Sequence, residues 1–262
     1  MPGDSGPGTE GLAMDSLTPR QFERYGRQVV LPEIGTEGQK RLLASKVLVA
    51  GVGGLGSPAA LYLAAAGVGT IGLIDGDRVE LGNLNRQIIH AESDVGTLKV
   101  DSAAARLKAL DPSIAVKTYP RRVTIETLTP LLREYDFAID ATDSHGSRLI
   151  VNRAACATSK PYSFAGVLRF AGQAMTILPG RSACYECVFP SRDAEIADPV
   201  QAGVLGTVPG ILGAIQASEA IKFLLGQGKL LQDTLLGLDL LTMTFRQLAV
   251  HKNSRCPACG SL

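Results

Sequence analysis

The chain has 262 residues, of which 45% are hydrophobic, enough for one large α/β domain with a substantial core. The formal net charge of +1 gives no electrostatic case for binding nucleic acid or an anionic membrane. No basic flank and apolar run mark a signal peptide, and polar residues interrupt the apolar run 204–225. We therefore expect a cytoplasmic protein that does not span a membrane.

The N-terminal stretch MPGDSGPGTEGLAMDS is rich in glycine and proline and has no apolar periodicity. Such a composition is typical of disordered segments. We therefore divide the chain into a disordered lead-in, residues 1–17, and one domain, residues 18–262.

Short apolar runs alternate with helical segments between positions 47 and 165. The runs predict strands over 47–50, 70–75, 115–119, 137–141 and 162–165. The intervening segments predict helices over 58–66, 100–110, 124–134 and 147–159. This alternation indicates an α/β fold with a doubly wound, mainly parallel Rossmann-like sheet. Beyond Gly166, the extended segments GQAMTIL, TLLGLDL and MTFRQLAV surround one apolar helix near 209–225. We expect them to extend the same sheet with antiparallel strands.

A glycine loop follows the first predicted strand, where Gly51, Gly53 and Gly56 fit the pattern G-x-G-x-x-G. Glycines at this spacing allow a tight turn and bring backbone amides close to an anion at a helix N-terminus. Asp75 ends the second strand about twenty residues later, where an acidic residue can hold ribose hydroxyls. These features alone favour a nicotinamide or flavin enzyme.

The polar residues that come after Asp75 change this interpretation. They are Asp77, Asn83, Asn85, Arg86, Gln87, Lys99 and Asp143. A triphosphate carries about four negative charges, and attack on it by a carboxylate must overcome like-charge repulsion. Two cations and a carboxylate for Mg²⁺ suit that task, whereas a dinucleotide pyrophosphate does not need them.

Each of these residues taken alone has a simpler explanation. Arg86 and Lys99 are compatible with solvated or salt-bridged surface groups, and Asp143 with a cap for the helix that follows it. Their joint order along the chain is what favours ATP.

Seven motifs occur in a fixed order along the chain: RYGRQ, GVGGLGSP, GVGTIGLID, VELGNLNRQ, VGTLKVDSA, DATDSHGSR and AGVLG. This order resembles that of the MoeB/ThiF family, bacterial relatives of ubiquitin-activating enzymes. The resemblance covers nearly all of residues 21–260. It implies a homodimer that uses ATP and Mg²⁺ to adenylate the C-terminal glycine of a small ubiquitin-like sulfur carrier of the MoaD/ThiS type, ending in Gly-Gly. The sequence leaves the pathway open among molybdopterin, thiamine, thiolated tRNA and other sulfur products.

The resemblance also implies residue roles within the glycine loop and the polar set. It places Gly54 in the phosphate loop with the three motif glycines, and it assigns Asp75 to the ribose. Arg86 and Lys99 hold the phosphates, and Asp143 supports the metal.

Further positions match the family less directly. Arg27, in RYGRQ, corresponds to an arginine that such homodimers insert into the neighbouring subunit's site. Asp77 and Asn83 are included in the predicted nucleotide-binding set, and Asn83 and Arg148 match family positions whose roles are less defined. Ser144 departs from the pattern, since the family usually has asparagine there, and this departure bears on the metal site.

Four of the five cysteines form two C-x-x-C knuckles, Cys184 with Cys187 and Cys256 with Cys259. Two knuckles in a chain without a secretory signal predict a tetrahedral Zn²⁺ site, although redox pairs or disulfides are alternatives. Four thiolates leave no open position for a substrate, so we expect a structural zinc that ties the C-terminal tail to the first knuckle.

The fifth thiol, Cys156, lies in the helical segment NRAACATS, and we expect a small buried apolar group rather than a nucleophile. Family members that form a covalent link to the carrier place a cysteine shortly before AGVLG, where this chain has Pro199. We therefore expect an acyl-adenylate without an enzyme thioester, and a separate persulfide as the sulfur donor.

Two other functions remain open from the residues. An NAD(P)-dependent oxidoreductase would explain the glycines and Asp75 but would leave Arg86, Lys99 and Asp143 without a role. An enzyme of the same family that activates a carboxylate on modified tRNA is disfavoured by the near-neutral charge.

Overall fold

The structure is a computed structural model that describes residues 17–190 and 202–262. The predicted lead-in, apart from Leu17, and Pro199 lie outside these described residues. The helices in them are α1 (Pro19–Val29), α2 (Gly35–Ala44), α3 (Gly56–Ala65), α4 (Lys99–Leu110), α5 (Ile125–Glu134), α6 (His145–Thr158), α7 (Tyr185–Val188) and α8 (Thr207–Leu225). The strands are β1 (Lys46–Ala50), β2 (Thr70–Ile74), β3 (Ala115–Tyr119), β4 (Phe137–Asp140), β5 (Tyr162–Leu168), β6 (Ala171–Ile177), β7 (Thr234–Asp239) and β8 (Thr244–Ala249). Two 3₁₀ helices, Leu81–Asn83 and Glu92–Asp94, lie between β2 and α4.

All of these strands belong to one sheet, in the order β3-β2-β1-β4-β5-β6-β7-β8. The five strands from β3 to β5 run parallel to one another. The β5–β6, β6–β7 and β7–β8 pairs are antiparallel. The predicted mixed sheet, mainly parallel and extended by antiparallel strands, is therefore confirmed.

The side chains of β1 alternate between the two faces of the sheet, and both faces are covered by helices. Val47 and Val49 belong to one buried cluster, which includes residues of α3, α4 and α8. Leu48 and Ala50 belong to a second cluster, on the opposite face, which includes residues of α5 and α6. Successive strand residues point to opposite faces, so a run of four apolar residues must be buried on both sides.

The strand order reverses between β1 and β4. In open α/β sheets, ligands bind outside the carboxyl ends of the strands at such a switch point. The loops that follow β1 and β4 therefore border the expected position of the site, and they contain the predicted site residues Gly51 and Asp143.

Helices α1 and α2 are not among the predicted elements. A capping box between Thr18 and Gln21 starts α1, with Pro19 at its first position. Tyr25 anchors this helix by donating a 2.6 Å hydrogen bond to the Asp111 carboxylate. Because α1 is polar on most of its surface, its apolar pattern is too sparse to stand out in the sequence.

Helix α8 is long and apolar enough to cross a membrane by length and composition alone. Half of that stretch is buried inside the fold. The Gln216 amide donates to the backbone oxygens of Asp140 and Ser163, so this helix packs against the centre of the sheet. We conclude that α8 is a core helix of the α/β fold.

Candidate functional site

The glycine loop turns directly from β1 into α3. Gly51 has φ +93°, and a Cβ there would lie 2.7 Å from the Ala141 oxygen. A Cβ on Gly56 would lie 2.0 Å from the Gly51 oxygen. Both positions therefore require glycine, one for the turn beside β4 and the other for the close approach of α3.

A cavity of about 870 Å³ opens at this loop, at the carboxyl ends of the parallel strands. We call it the glycine-loop cavity. It brings together most of the predicted site residues: Gly51, Gly53, Gly54, Asp75, Asp77, Arg86, Lys99, Asp143 and Arg148. Gly56, Asn83 and Arg27 are not among the residues that line it.

Asp75 connects two parts of the cavity wall. One carboxylate oxygen accepts a 2.8 Å hydrogen bond from the Val52 amide in the glycine loop. The other accepts one of 2.8 Å from the Asp77 amide. The carboxylate therefore fixes the glycine loop relative to the loop after β2.

The two cations that the sequence singled out lie on different elements. Lys99 is the first residue of α4, is 8% exposed and forms a 3.1 Å ion pair with Asp77. Arg86 donates from Nη1 to the Gly82 oxygen and to the Asn85 side chain, so its guanidinium rests on its own loop. Together they supply positive charge to the cavity, where a polyanionic ligand would need it.

Asp143 is exposed at the cavity, in the loop after β4. The neighbouring Ser144 caps α6, because its hydroxyl accepts a hydrogen bond from the Ser147 amide. The alternative in which Asp143 caps this helix is therefore wrong. Because Ser144 supplies the cap, the Asp143 carboxylate is not needed for it.

The two polar residues outside the cavity have distinct positions. The Asn83 side chain accepts a hydrogen bond from the Glu80 amide, and its backbone oxygen accepts one from the Arg86 amide. Asn83 thus shapes the loop that carries Arg86. Arg27 is exposed on α1, away from the cavity of its own chain.

Arg148 is a buried cation in the wall of the cavity. It is 7% exposed, and its Cζ lies 5.3 Å from the centroid of the Phe164 ring. Nearby, burial raises the pKa of Asp140 to about 6, although Thr142 donates hydrogen bonds to this carboxylate and the Arg148 charge also opposes the shift. Burial lowers the pKa of His145, and the Arg148 charge adds to this effect.

Several site residues were not singled out from the sequence. Arg122 and Thr124 reach the cavity from the loop between β3 and α5. The only signal for them was their position after a predicted strand, at the carboxyl edge of the sheet. His90 donates from Nε2 to the Val52 oxygen behind the glycine loop, and burial lowers its pKa.

The cavity has the features that a nucleotide requires. A Cβ on Gly54 would come within 3.3 Å of Pro209. Glycine at this position therefore keeps open a space beside the loop that a side chain would fill. The buried Gln87 side chain lines the cavity, and its Oε1 has no hydrogen-bond partner among the described residues. A buried polar atom without a partner indicates a missing ligand or water. The residues present therefore fit a bound nucleotide.

The four knuckle cysteines converge at one point. Their Sγ atoms lie within 4.8 Å of one another, with closest separations of 3.5 to 3.7 Å. Sulfurs about 2.3 Å from a tetrahedral zinc lie about 3.8 Å apart, so this arrangement fits the metal. All four cysteines are free of disulfides, which contradicts that alternative.

Cys156 lies beside this cluster, on α6. It is 3% exposed, as the sequence predicted, and both its hydrogen bond to Cys184 and burial raise the pKa of its thiol. A thiol in this state is a poor nucleophile.

Fold and site together define a nucleotide-binding α/β protein with a four-cysteine cluster. Residues 25–258 match the ThiF family, and the chain belongs to that family. It is 44% identical over 250 residues to a sulfur carrier protein adenylyltransferase of Thermus thermophilus, covering 93% of this chain and 92% of that protein. It is 41% identical over 247 residues to a SAMP-activating enzyme E1 of Haloferax volcanii, covering 94% and 91%. The crystal structure of Escherichia coli MccB has a similar fold, with a TM-score of 0.79, 26% identity and coverage of 91% of this chain and 72% of that one.

Proposed function

We propose that this protein adenylates the C-terminal glycine of a ubiquitin-like sulfur carrier of the MoaD/ThiS type. The observation that carries the proposal is the convergence of the glycine loop with Asp75, Arg86, Lys99 and Asp143 around one cavity. Membership of the ThiF family and the names of the two full-length relatives support it.

The reaction transfers AMP from ATP to the carrier. The C-terminal carboxylate attacks the α-phosphorus, a carboxylate–phosphorus bond forms, and the bond to the β-phosphate oxygen breaks. Pyrophosphate leaves with the bonding electrons, and the product is an acyl-adenylate. No oxidation or reduction takes place.

The chain's own residues contribute mainly charge and orientation. Glycine-loop amides and the start of α3 face the phosphates, and Asp75 holds the ribose. Arg86 and Lys99 offset the repulsion between two anions and the charge that develops on the leaving pyrophosphate. Because Lys99 is buried, its charge is screened less than that of a surface lysine.

Asp143 would hold Mg²⁺, which neutralises phosphate charge when it is bound. The exposed carboxylate suits this ion, since magnesium usually retains several waters and takes only one or two protein carboxylates.

The complete site requires a second copy of the chain. Arg27 is outside the cavity of its own chain, yet the family resemblance assigns it to the phosphates. A homodimer in which each protomer supplies Arg27 to its partner reconciles the position of Arg27 with the role that the resemblance implies.

The four-cysteine cluster would hold a structural Zn²⁺. The cluster joins the tail that carries Cys256 and Cys259 to helix α7, so the metal would stabilise the fold and not take part in the transfer. Cysteines without disulfides in both knuckles are consistent with the reducing conditions of the cytoplasm.

The sulfur chemistry would take place on a different protein. Cys156 is buried, and Pro199 offers no nucleophile. We therefore assign sulfur delivery to a separate persulfide donor, with no thioester between enzyme and carrier.

The two alternatives are less well supported. An oxidoreductase is not favoured by the ThiF family or by the names of the relatives. Activation of a tRNA carboxylate has no support from the net charge of +1.

The test is carrier-dependent exchange of labelled pyrophosphate into ATP. A small Gly-Gly-ended carrier from the same cell should support exchange, and the same carrier without its last glycine should not. Exchange that does not depend on the carrier, or stabilisation of the protein by NAD⁺ and not by ATP·Mg²⁺, would refute the proposal.

A further inference from the structure

The first cysteine knuckle contacts the glycine-loop cavity through a series of packed side chains. Tyr185 lies between Cys184 and Cys187 in α7 and is 2% exposed. Its ring packs edge-on against Phe164, with centroids 4.9 Å apart and an interplanar angle of 62°. Its hydroxyl is hydrogen-bonded to His145 Nδ1 at 2.8 Å.

Both of these partners adjoin Arg148. The Phe164 ring carries the guanidinium on its face, at 5.3 Å from Cζ. His145 lies three residues earlier, in the same first turn of α6. Tyr185 therefore contacts both the Phe164 ring under the guanidinium and His145 at the start of α6, the helix that carries Arg148.

Few hydrogen bonds fix Arg148 itself. Its Nε has no partner among the described residues, and its bond from Nη2 to the Thr142 oxygen is long, at 3.4 Å. The side chain is nevertheless buried and lines the cavity, and the Tyr185 side chain also interacts with its guanidinium. Its position therefore depends on Tyr185 and on the Phe164 ring.

We propose that Tyr185 is a positioning residue, which holds the Arg148 guanidinium at the cavity wall through Phe164 and His145. This inference rests on the proposed adenylation, in which a preorganised cation stabilises developing phosphate charge. A displacement of about 1 Å can cost on the order of 10²-fold in rate, so a residue that touches no substrate can affect the chemical step.

A second contact between the same helices provides a control. Arg153 on α6 forms a 3.0 Å ion pair with Glu186 on α7, and its side chain is 52% exposed. This pair joins the knuckle to α6 but does not line the cavity. Removing this ion pair weakens the attachment of α7 to α6 without changing the contacts of Arg148.

The experiment is a double-mutant cycle on carrier-dependent pyrophosphate exchange. We expect Arg148→Ala to lower kcat by about 10²-fold. We expect Tyr185→Leu to lower kcat about tenfold, with KM for ATP and one zinc per chain unchanged. The double variant should be no slower than Arg148→Ala, because Tyr185 acts only through Arg148. Tyr185→Phe keeps the ring contact with Phe164 but loses the hydrogen bond to His145, so its loss of kcat should be smaller than that of Tyr185→Leu. Arg153→Ala should match the wild type.

Additive losses in the double variant would overturn the inference, as would an equal loss in Arg153→Ala. If Tyr185→Leu loses zinc, Phe164→Leu replaces it in the cycle, since it removes the ring under the Arg148 guanidinium from β5, outside the two knuckles. An inactive wild-type protein would refute the proposed function itself. An active wild type with additive variants would refute only the role of Tyr185.

Discussion

The Lys99 ammonium lies 3.1 Å from the Asp77 carboxylate, and this ion pair joins the start of α4 to the loop after β2. The backbone repeats the connection, because the Lys99 amide donates to the Asp77 oxygen at 2.9 Å. A cation at a helix N-terminus is unfavourable, so a buried lysine there indicates an anion nearby. Asp77 is that anion in the structure, and we expect ATP phosphates to compete with it for the ammonium.

Removing this ammonium should impair the reaction. We expect Lys99→Ala to lower carrier-dependent pyrophosphate exchange by about 10²–10³-fold, because it removes a charge-stabilising group. Arg86→Ala and Asp143→Ala should have effects of similar size. The matched control is Arg133→Ala, which removes an exposed cation from α5, away from the cavity. Wild-type exchange in Lys99→Ala would show that the site is assigned to the wrong residues.

The parallel part of the fold could be predicted because most of its strands are short apolar runs that alternate with helical segments; β3, with the sequence AVKTY, is the exception. The ends of β2 and β4 differ from the prediction by one residue, since Asp75 and Ala141 already belong to the loops that border the cavity. Helices near the N-terminus escaped prediction because their stabilising contacts are tertiary, such as the hydrogen bond between Tyr25 and Asp111.

The candidate site could be predicted where its residues follow strands in the chain. Gly51 and Asp143 were found in this way. The support of Arg148 by Tyr185 could not, because the two residues are far apart in the sequence and no periodic pattern records an aromatic contact between distant segments. Arg122 reaches the cavity from a loop without a distinctive motif.

The homodimer predicts complementation between two inactive variants. In a one-to-one mixture of Arg27→Ala and Arg86→Ala chains, half of the dimers are mixed and one of their two sites is intact. About a quarter of the wild-type exchange should therefore return, although each variant alone remains inactive. A monomer in sedimentation experiments with full activity would contradict this arrangement.

The cysteine cluster predicts one zinc per chain by elemental analysis. Cys256→Ser should release the metal and lower the melting temperature, because it detaches the C-terminal tail from α7. Cys156→Ser serves as the control and should keep its zinc, since that thiol is not one of the four converging sulfurs. A metal-free wild type whose melting does not change in Cys256→Ser would contradict the site.

The buried Asp140 predicts a pH-dependent stability. Its pKa rises from 3.8 to about 6 on folding, so the folded state binds the proton more tightly than the unfolded state does. The contribution of Asp140 to the free energy of unfolding therefore falls as the pH rises from about 4 to 6. Asp140→Asn preserves an acceptor for Thr142 and removes the buried charge. The free energy of unfolding at pH 8 should therefore rise by up to about 3 kcal/mol, and the gain should vanish below pH 4. Denaturant titrations at several pH values measure the difference; an equal gain at every pH would exclude this cause.

Outside the four-cysteine cluster, the one thiol in the described part of the chain is the buried Cys156, and this predicts that no thioester with the carrier forms. After incubation with ATP·Mg²⁺ and carrier, intact mass spectra of the enzyme should show no carrier-sized increment. Carrier activation by Cys156→Ala should equal that of the wild type, since the native thiol is buried. A thiol-sensitive increment that disappears in Cys156→Ala would reveal a thioester at that position.

The mass of the carrier after reaction with enzyme and ATP·Mg²⁺ reports adenylation itself. We expect a gain of one AMP less one water at the C-terminal glycine, with release of pyrophosphate. Lys99→Ala should slow this gain by about 10²–10³-fold, and a carrier without its last glycine should show none. An unchanged carrier mass under conditions in which the enzyme binds both ATP and carrier would show that the protein does not adenylate this carrier.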